Sequence, residues 1–169
     1  MIKNRQIAGA GYGTHITPLI ASVLATRGDV MEMGMGDYST PLLHEIIKHQ
    51  RETGLYRNLI SFENDAVWYK NFIDLQTDWH IVKHIKDWSD IAINNISVLF
   101  IDHAPASRRI VDIFKFKDAA EIIVVHDTEK SKYYGYNTVF SKFQYRFDYE
   151  RYSKKTTLVS NFINVTKIL

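Results

Sequence analysis

The feature that most constrains this chain is a set of apolar runs that each stop on an acid or a histidine. The run at 30–36, "VMEMGMG", contains Glu32 and then two glycines. The others are "NLISFEND" at 58–65, "HIVKHIKDW" at 80–88, "ISVLFIDH" at 96–103 and "IIVVHD" at 122–127. Near-continuous apolar runs of this length belong to strands covered on both faces, as in parallel sheets.

Helical spacing fills most of the gaps between them. Residues 16–28 place Leu19, Ile20, Val23 and Leu24 on one stripe. The next helix starts at Ser39 or Thr40, with Pro41 in its first turn and Leu42, Leu43, Ile46 and Ile47 facing inward. Asp65 can cap a helix over 66–75, with Trp68 and Phe72 on one face. A further helix over 107–118 points Ile110, Ile113 and Phe114 inward. Two strand-like stretches, 143–152 and 156–165, then read as a hairpin across the turn-like 153–155.

The order is βαβαββαβ followed by that hairpin. It predicts one α/β domain over 1–169, Rossmann-like and doubly wound, with a mainly parallel sheet of about seven strands and a C-terminal antiparallel hairpin. In such sheets ligands bind beyond the carboxyl ends of the strands. Glu32 to Asp37, Glu63-Asn64, Asp87-Trp88, Asp102-His103 and His126-Asp127 therefore share one rim.

Composition narrows the class. The chain is 46% hydrophobic and 24% charged with a net charge of +2, an ordinary globular balance that does not argue for nucleic acid or a membrane surface. It has no cysteine, which excludes disulfides and thiolate metal sites and agrees with a cytoplasmic location. No apolar run approaches the roughly 20 residues needed to span a bilayer, and the first residues lack the apolar core of a secretory signal. Six of the ten tyrosines and an excess of Lys and Arg lie in 128–169. Alternation there reads better as an edge strand with one wet face than as a nucleic-acid surface.

The turn at 32–36 is the most informative local motif. A dinucleotide site would read G-x-G-x-x-G, but the residue three beyond Gly36 is Ser39. The acid before the first glycine would repel a pyrophosphate. Glu32 suits a ligand with a cationic nitrogen instead.

On these residues the sequence resembles the class I S-adenosylmethionine-dependent methyltransferases, and its small-molecule branch in particular. "VMEMGMG" looks like their first signature motif, and the likeness runs over most of the chain, 16–165. The resemblance implies that Glu32, Gly34 and Gly36 hold the methionine end of S-adenosylmethionine. It implies that Glu63, with Asn64 beside it, takes the ribose hydroxyls. Asp87 and Trp88 would border the adenine, with Asp102 and His103 also lining the cofactor. Asp102, His126 and Asp127 would face the acceptor as catalytic groups. Asp102 and Asp127 would be the ligands of a divalent cation such as Mg²⁺ where one is used. Asp37-Tyr38 departs from the family pattern, which has another small residue there. The expected partner is a small-molecule acceptor, with a second copy of the chain able to complete the site. Two alternatives stand beside this: an enzyme that cleaves S-adenosylmethionine, and a non-catalytic module that binds the cofactor or nucleic acid. His15, in "GYGTHITP", is expected in a surface loop.

Overall fold

The computed structural model describes residues 13–92, 94–151 and 154–169. Its elements run α1 Ile16–Leu24, β1 Val30–Met33, α2 Thr40–Glu52, β2 Leu59–Glu63, α3 Ala66–Tyr69, β3 His80–His84 and β4 Ile96–Ile101. They continue with α4 Arg109–Lys115, β5 Ala120–Val125, α5 Ser131–Tyr134, α6 Tyr136–Phe140, β6 Tyr145–Tyr149 and β7 Thr156–Ser160.

The seven strands form one sheet in the order β3-β2-β1-β4-β5-β7-β6. β1 to β5 are parallel, whereas β7 is antiparallel to β5 and to β6. The fold class is as the sequence predicts, including the C-terminal hairpin. That hairpin inserts β7 between β5 and β6 and leaves β6 at the edge. Strand order reverses between β1 and β4, which makes their carboxyl ends the topological switch point.

Alternation along the strands explains the two covered faces. Val30, Val98, Phe100, Ile122 and Val124 point one way and pack with Leu19 and Val23 of α1 and Leu43 and Ile47 of α2. Met31, Met33, Leu99, Ile101, Ile123 and Val125 point the other way and pack with Ile113, Tyr136 and Phe140. Both faces are dry, so the strands tolerate long apolar runs.

Two sequence expectations are corrected. The helix foreseen over 66–75 stops at Tyr69 and resumes only as a 3-10 turn at Ile73–Leu75. Asp65 does cap its start, accepting from the Val67 and Trp68 amides at 2.8 and 3.0 Å. The chain then leaves the helix and seats Phe72 against Met35 and Val82. Phe114 is half-exposed rather than inward. The buried stripe of α4 is Arg109, Asp112 and Ile113, an i, i+3, i+4 set that turns Phe114 outward.

Candidate active site

Strand register lines up the rim residues. Met33 pairs with Phe62 and with Ile101, and Ile101 pairs with Val125. The residues one step further, Glu63, Gly34, Asp102 and His126, therefore lie in a row across the sheet. Backbone bonds tie that row: Gly34 donates to the Phe62 carbonyl, Asp102 to Met33, and His126 to Ile101, at 2.9 to 3.1 Å.

Gly34 has φ +94°, and a Cβ there would sit 2.5 Å from the His103 nitrogen. The crossing of the turn over the end of β4 therefore demands glycine. Gly36 is different: its amide donates to Thr40 Oγ1 at 2.9 Å, and a Cβ would meet only Ser39 Oγ at 3.1 Å. Ser39 occupies the N-cap position of α2 but makes no side-chain cap.

Glu63 is buried and grips the turn. Its Oε2 accepts from the Met35 amide at 3.0 Å, and its Oε1 accepts from the Asn64 and Asp65 amides at 2.8 and 2.9 Å. The Trp68 indole donates to the Met35 carbonyl at 2.7 Å. Met35 is thus held from both sides.

Glu32 is fully buried on the α2 side of β1. The hydroxyls of Ser39, Ser61 and Thr40 lie against its carboxylate, yet neither oxygen has an aligned hydrogen-bond partner. Burial raises its pKa to about 7, against the pull of those hydroxyls.

Asp102 and His126 form the chemical centre. Asp102 Oδ2 lies 3.0 Å from His126 Nδ1, and its Oδ1 lies 3.0 Å from Arg109 Nη2. Burial disfavours the Asp102 charge, but the His126 hydrogen bond and the charges of His126 and Arg109 outweigh it and hold the carboxyl below its usual range. His126 Nε2 faces Thr14 Oγ1 at 3.0 Å and Asp127 Oδ1 at 3.5 Å. Asp127 sits in the left-handed region with φ 56° and also lies 3.5 Å from Lys154 Nζ.

Arg109, which sequence reasoning did not single out, fixes these groups. Its guanidinium donates to the carbonyls of His103, His126 and Asp102 at 2.7, 2.9 and 2.9 Å. One planar fork thereby joins the ends of β4 and β5. Its signal was a cation on the first turn after β4, which is common and unspecific.

His15 is the second missed residue. It is 3% exposed, not in a surface loop, and its ring sits 4.5 Å from that of His126 and 4.9 Å from that of Phe100. Burial and the neighbouring His126 lower its pKa to about 4, against the opposing pull of Asp102, so it is neutral near pH 7. Neither of its nitrogens has a hydrogen-bond partner.

Trp88 is 3% exposed, donates to the Ala104 carbonyl at 3.0 Å and stacks on His103 at 4.4 Å. His103 Nε2 lies 3.1 Å from Asp112 Oδ2, within ion-pair range but outside hydrogen-bond geometry. Asp87 points outward, capping Ser89 at 2.7 Å and facing Arg108 at 3.6 Å. The row thus brings Glu63, Gly34, Asp102, His103, His126 and Asp127 together, while Asp87 stays outside it.

A two-carboxylate cation site does not fit these positions. Asp102 already faces Arg109 and His126, and Asp127 faces Lys154. Among the described residues, the group whose ligand atoms all lie within 4.8 Å of one another is His15, Asp102 and His126. Three cations of the basic C-terminal part are paired within it: Arg146 and Lys155 meet Asp148, and Lys154 meets Glu129.

Solved structures share this fold. Cofactor-bound Rv0187 from MTB matches over 96% of this chain and 85% of its own, with a TM-score of 0.61 at 16% identity. The protein lmo1582 from Listeria monocytogenes, assigned as a class I S-adenosylmethionine-dependent methyltransferase, matches over 95% of this chain with a TM-score of 0.61 at 10% identity. This chain spans 64% of that protein's length. Precorrin-6y C5,15-methyltransferase from Geobacter metallireducens matches over 85% of this chain and 87% of its own, with a TM-score of 0.50 at 8% identity. No protein-family model and no curated protein matches the sequence. The chain has the Rossmann-like fold of the class I S-adenosylmethionine-dependent methyltransferases. No helix among the described residues is long and apolar enough to cross a membrane.

Proposed function

We propose that this chain is an S-adenosylmethionine-dependent methyltransferase, cytoplasmic, acting on a small acceptor through an oxygen or nitrogen. The observation that carries this reading is the Asp102–His126 pair, set beside the Gly34 turn at the switch point of the sheet.

The residues suit the cofactor. Glu32 offers a carboxylate with unpartnered oxygens to the ammonium of the methionine end. Glu63 has one of its roughly four acceptor directions left for a ribose hydroxyl after three backbone amides are counted. Bound there, S-adenosylmethionine supplies an electrophilic methyl carbon.

The chain's own part is positioning and proton transfer. A carboxylate on Nδ1 assigns the His126 proton to that nitrogen and leaves a lone pair on Nε2. Thr14 Oγ1 now occupies the place of an acceptor hydroxyl. In the reaction an acceptor replaces it, His126 Nε2 takes the acceptor's proton, and Asp102 stabilises the resulting imidazolium.

Calorimetric titration with S-adenosylmethionine and S-adenosylhomocysteine tests the reading. Both should bind with micromolar affinity, with or without Mg²⁺. Absence of binding at high micromolar ligand overturns it. Methylthioadenosine or homoserine products, released without any acceptor, would identify a cleaving enzyme instead.

A further inference from the structure

A second polar track crosses the α2 side of the sheet, away from the Asp102–His126 pair. It starts at Glu32, fully buried in the middle of β1. Ser61 on β2 lies against it and is itself fully buried. Ser61 Oγ is 3.1 Å from Nε2 of His80 on β3, also fully buried. His80 Nδ1 is 2.9 Å from Nδ1 of His44 on α2, which is only partly buried. His44 packs on Trp79 at 4.8 Å. The track therefore runs from a carboxylate without solvent contact to a half-open imidazole.

We infer that Ser61, His80 and His44 form a proton path that lets buried Glu32 exchange its proton with solvent. Ser61 to His80 and His80 to His44 are hydrogen bonds. Glu32 lies against Ser61 without an aligned bond and needs a turn of the Ser61 hydroxyl to complete the chain. Once made, every link has one donor and one acceptor, and the chain can reverse. With Glu32 protonated, its O–H donates to Ser61, Ser61 donates to His80 Nε2, and His80 Nδ1–H donates to His44 Nδ1. Discharge passes one proton along each bond, and His44 releases its Nε2 proton to water. Afterwards His44 Nδ1–H donates to His80 Nδ1, His80 Nε2–H donates to Ser61, and Ser61 donates to the Glu32 carboxylate. One proton leaves, Glu32 becomes an anion, and both imidazoles are neutral before and after.

The surroundings favour this. Glu32 faces Ser61 from β2, Ser39 and Thr40 from α2, Asp102 from the end of β4 and, through Ser61, His80 from β3. His15, ahead of α1, lies on the same side of the sheet against Phe100. No cation in that set holds Glu32 ionised. Burial puts its pKa at about 7, and burial together with His44 puts His80 at about 4. His80 therefore serves by exchanging tautomers, not by storing charge. The purpose of the path rests on reading Glu32 as the partner of the cofactor's ammonium; the path itself does not. A cationic ligand requires the anion, so docking expels the proton and undocking recovers it.

The test uses the free protein first. A jump from about pH 8.5 to about pH 5.5 is followed by time-resolved infrared at the protonated-carboxyl band, with Glu32→Gln as the blank. The expected result is a band absent from Glu32→Gln that forms with a midpoint near neutrality. In Ser61→Ala and His44→Phe it should form roughly 10-fold or more slowly. Two positions are used so that misfolding of one leaves the other. Absence of a Glu32 band, or unchanged rates in the folded variants, overturns the path. S-adenosylhomocysteine is then added: loss of the band, with proton release measured by calorimetry in two buffers, supports its purpose. Binding without loss of the band refutes that purpose. Failure of the ligand to bind, with the band kinetics as expected, leaves the path standing and removes the proposed function.

Discussion

Asp102 Oδ2 and His126 Nδ1 stand 3.0 Å apart, and this contact decides which nitrogen of His126 meets an acceptor. His126→Ala removes the base. Turnover should fall roughly 10²- to 10⁴-fold, while S-adenosylhomocysteine affinity changes little. Asp102→Asn keeps the side chain's size but frees the tautomer, so turnover should fall by about 10²-fold or more. Arg109 keeps its three carbonyl partners in that variant, so the strand ends stay joined. Methyl-transfer kinetics beside ligand calorimetry separate the two effects. Equal loss of affinity and turnover would make the pair a structural device.

The two glycines of the turn predict opposite tolerances. Gly34→Ala places a Cβ 2.5 Å from the His103 nitrogen and forces φ +94° on an L residue. The strain alone costs about 1–3 kcal/mol, and the backbone overlap adds to it. Gly36→Ala meets only a hydroxyl at 3.1 Å and has no positive φ, so it should cost under about 1 kcal/mol. Urea unfolding of both variants checks the contrast. A Gly36→Ala protein as unstable as Gly34→Ala would mean that the second glycine answers to something other than the protein's own packing.

The contrast shows what the sequence could carry. Apolar runs ending in Asp102 and His126 made the strands and the rim legible, because a parallel sheet buries both faces of every strand. The acid-glycine turn was legible for the same reason: Glu32 sits on β1 and Gly34 one step past its end. Arg109 and His15 were not legible. Their roles arise from contacts across the ends of β4 and β5 and from the approach to α1, separations of 17 residues for Arg109 to His126 and far more for Thr14 to His126. Local pattern holds no record of such pairings. The helix over 66–75 failed likewise, because tertiary packing of Phe72 on Met35 outweighed local propensity.

Glu63 carries two duties that substitution can part. Glu63→Gln offers an NH₂ to one of the backbone amides that now meet a carboxylate oxygen, so stability should fall by about 1–3 kcal/mol. If Glu63 also takes a ribose hydroxyl, S-adenosylhomocysteine binding should weaken by about 1.5–3 kcal/mol in Glu63→Ala. Thermal unfolding and calorimetry on the same preparations check both. Full ligand affinity in a destabilised variant would confine Glu63 to tethering the Met35 turn.

Stability should depend on pH through three buried groups acting in two directions. His15 and His80 have folded pKa values of about 4, below their ordinary 6.5. Between those values the unfolded chain binds more protons, so stability falls as pH drops from 6.5 to 4, by about 3 kcal/mol for a shift of that size at His15. Glu32 is opposite: its folded pKa of about 7 exceeds its ordinary 4.5. Between those values the folded chain binds more protons, so this group costs stability as pH rises from 4.5 to 7, again by about 3 kcal/mol. The two histidines outweigh the one acid, so the wild-type protein should gain stability as pH rises to about 6.5. Glu32→Gln keeps the shape and removes the opposing slope. It should match the wild type near pH 4 and exceed it by about 3 kcal/mol near pH 8, while binding S-adenosylhomocysteine more weakly. Urea unfolding across this range reads both curves. A constant difference between the variants at every pH would show that Glu32 does not titrate in the folded protein's working range.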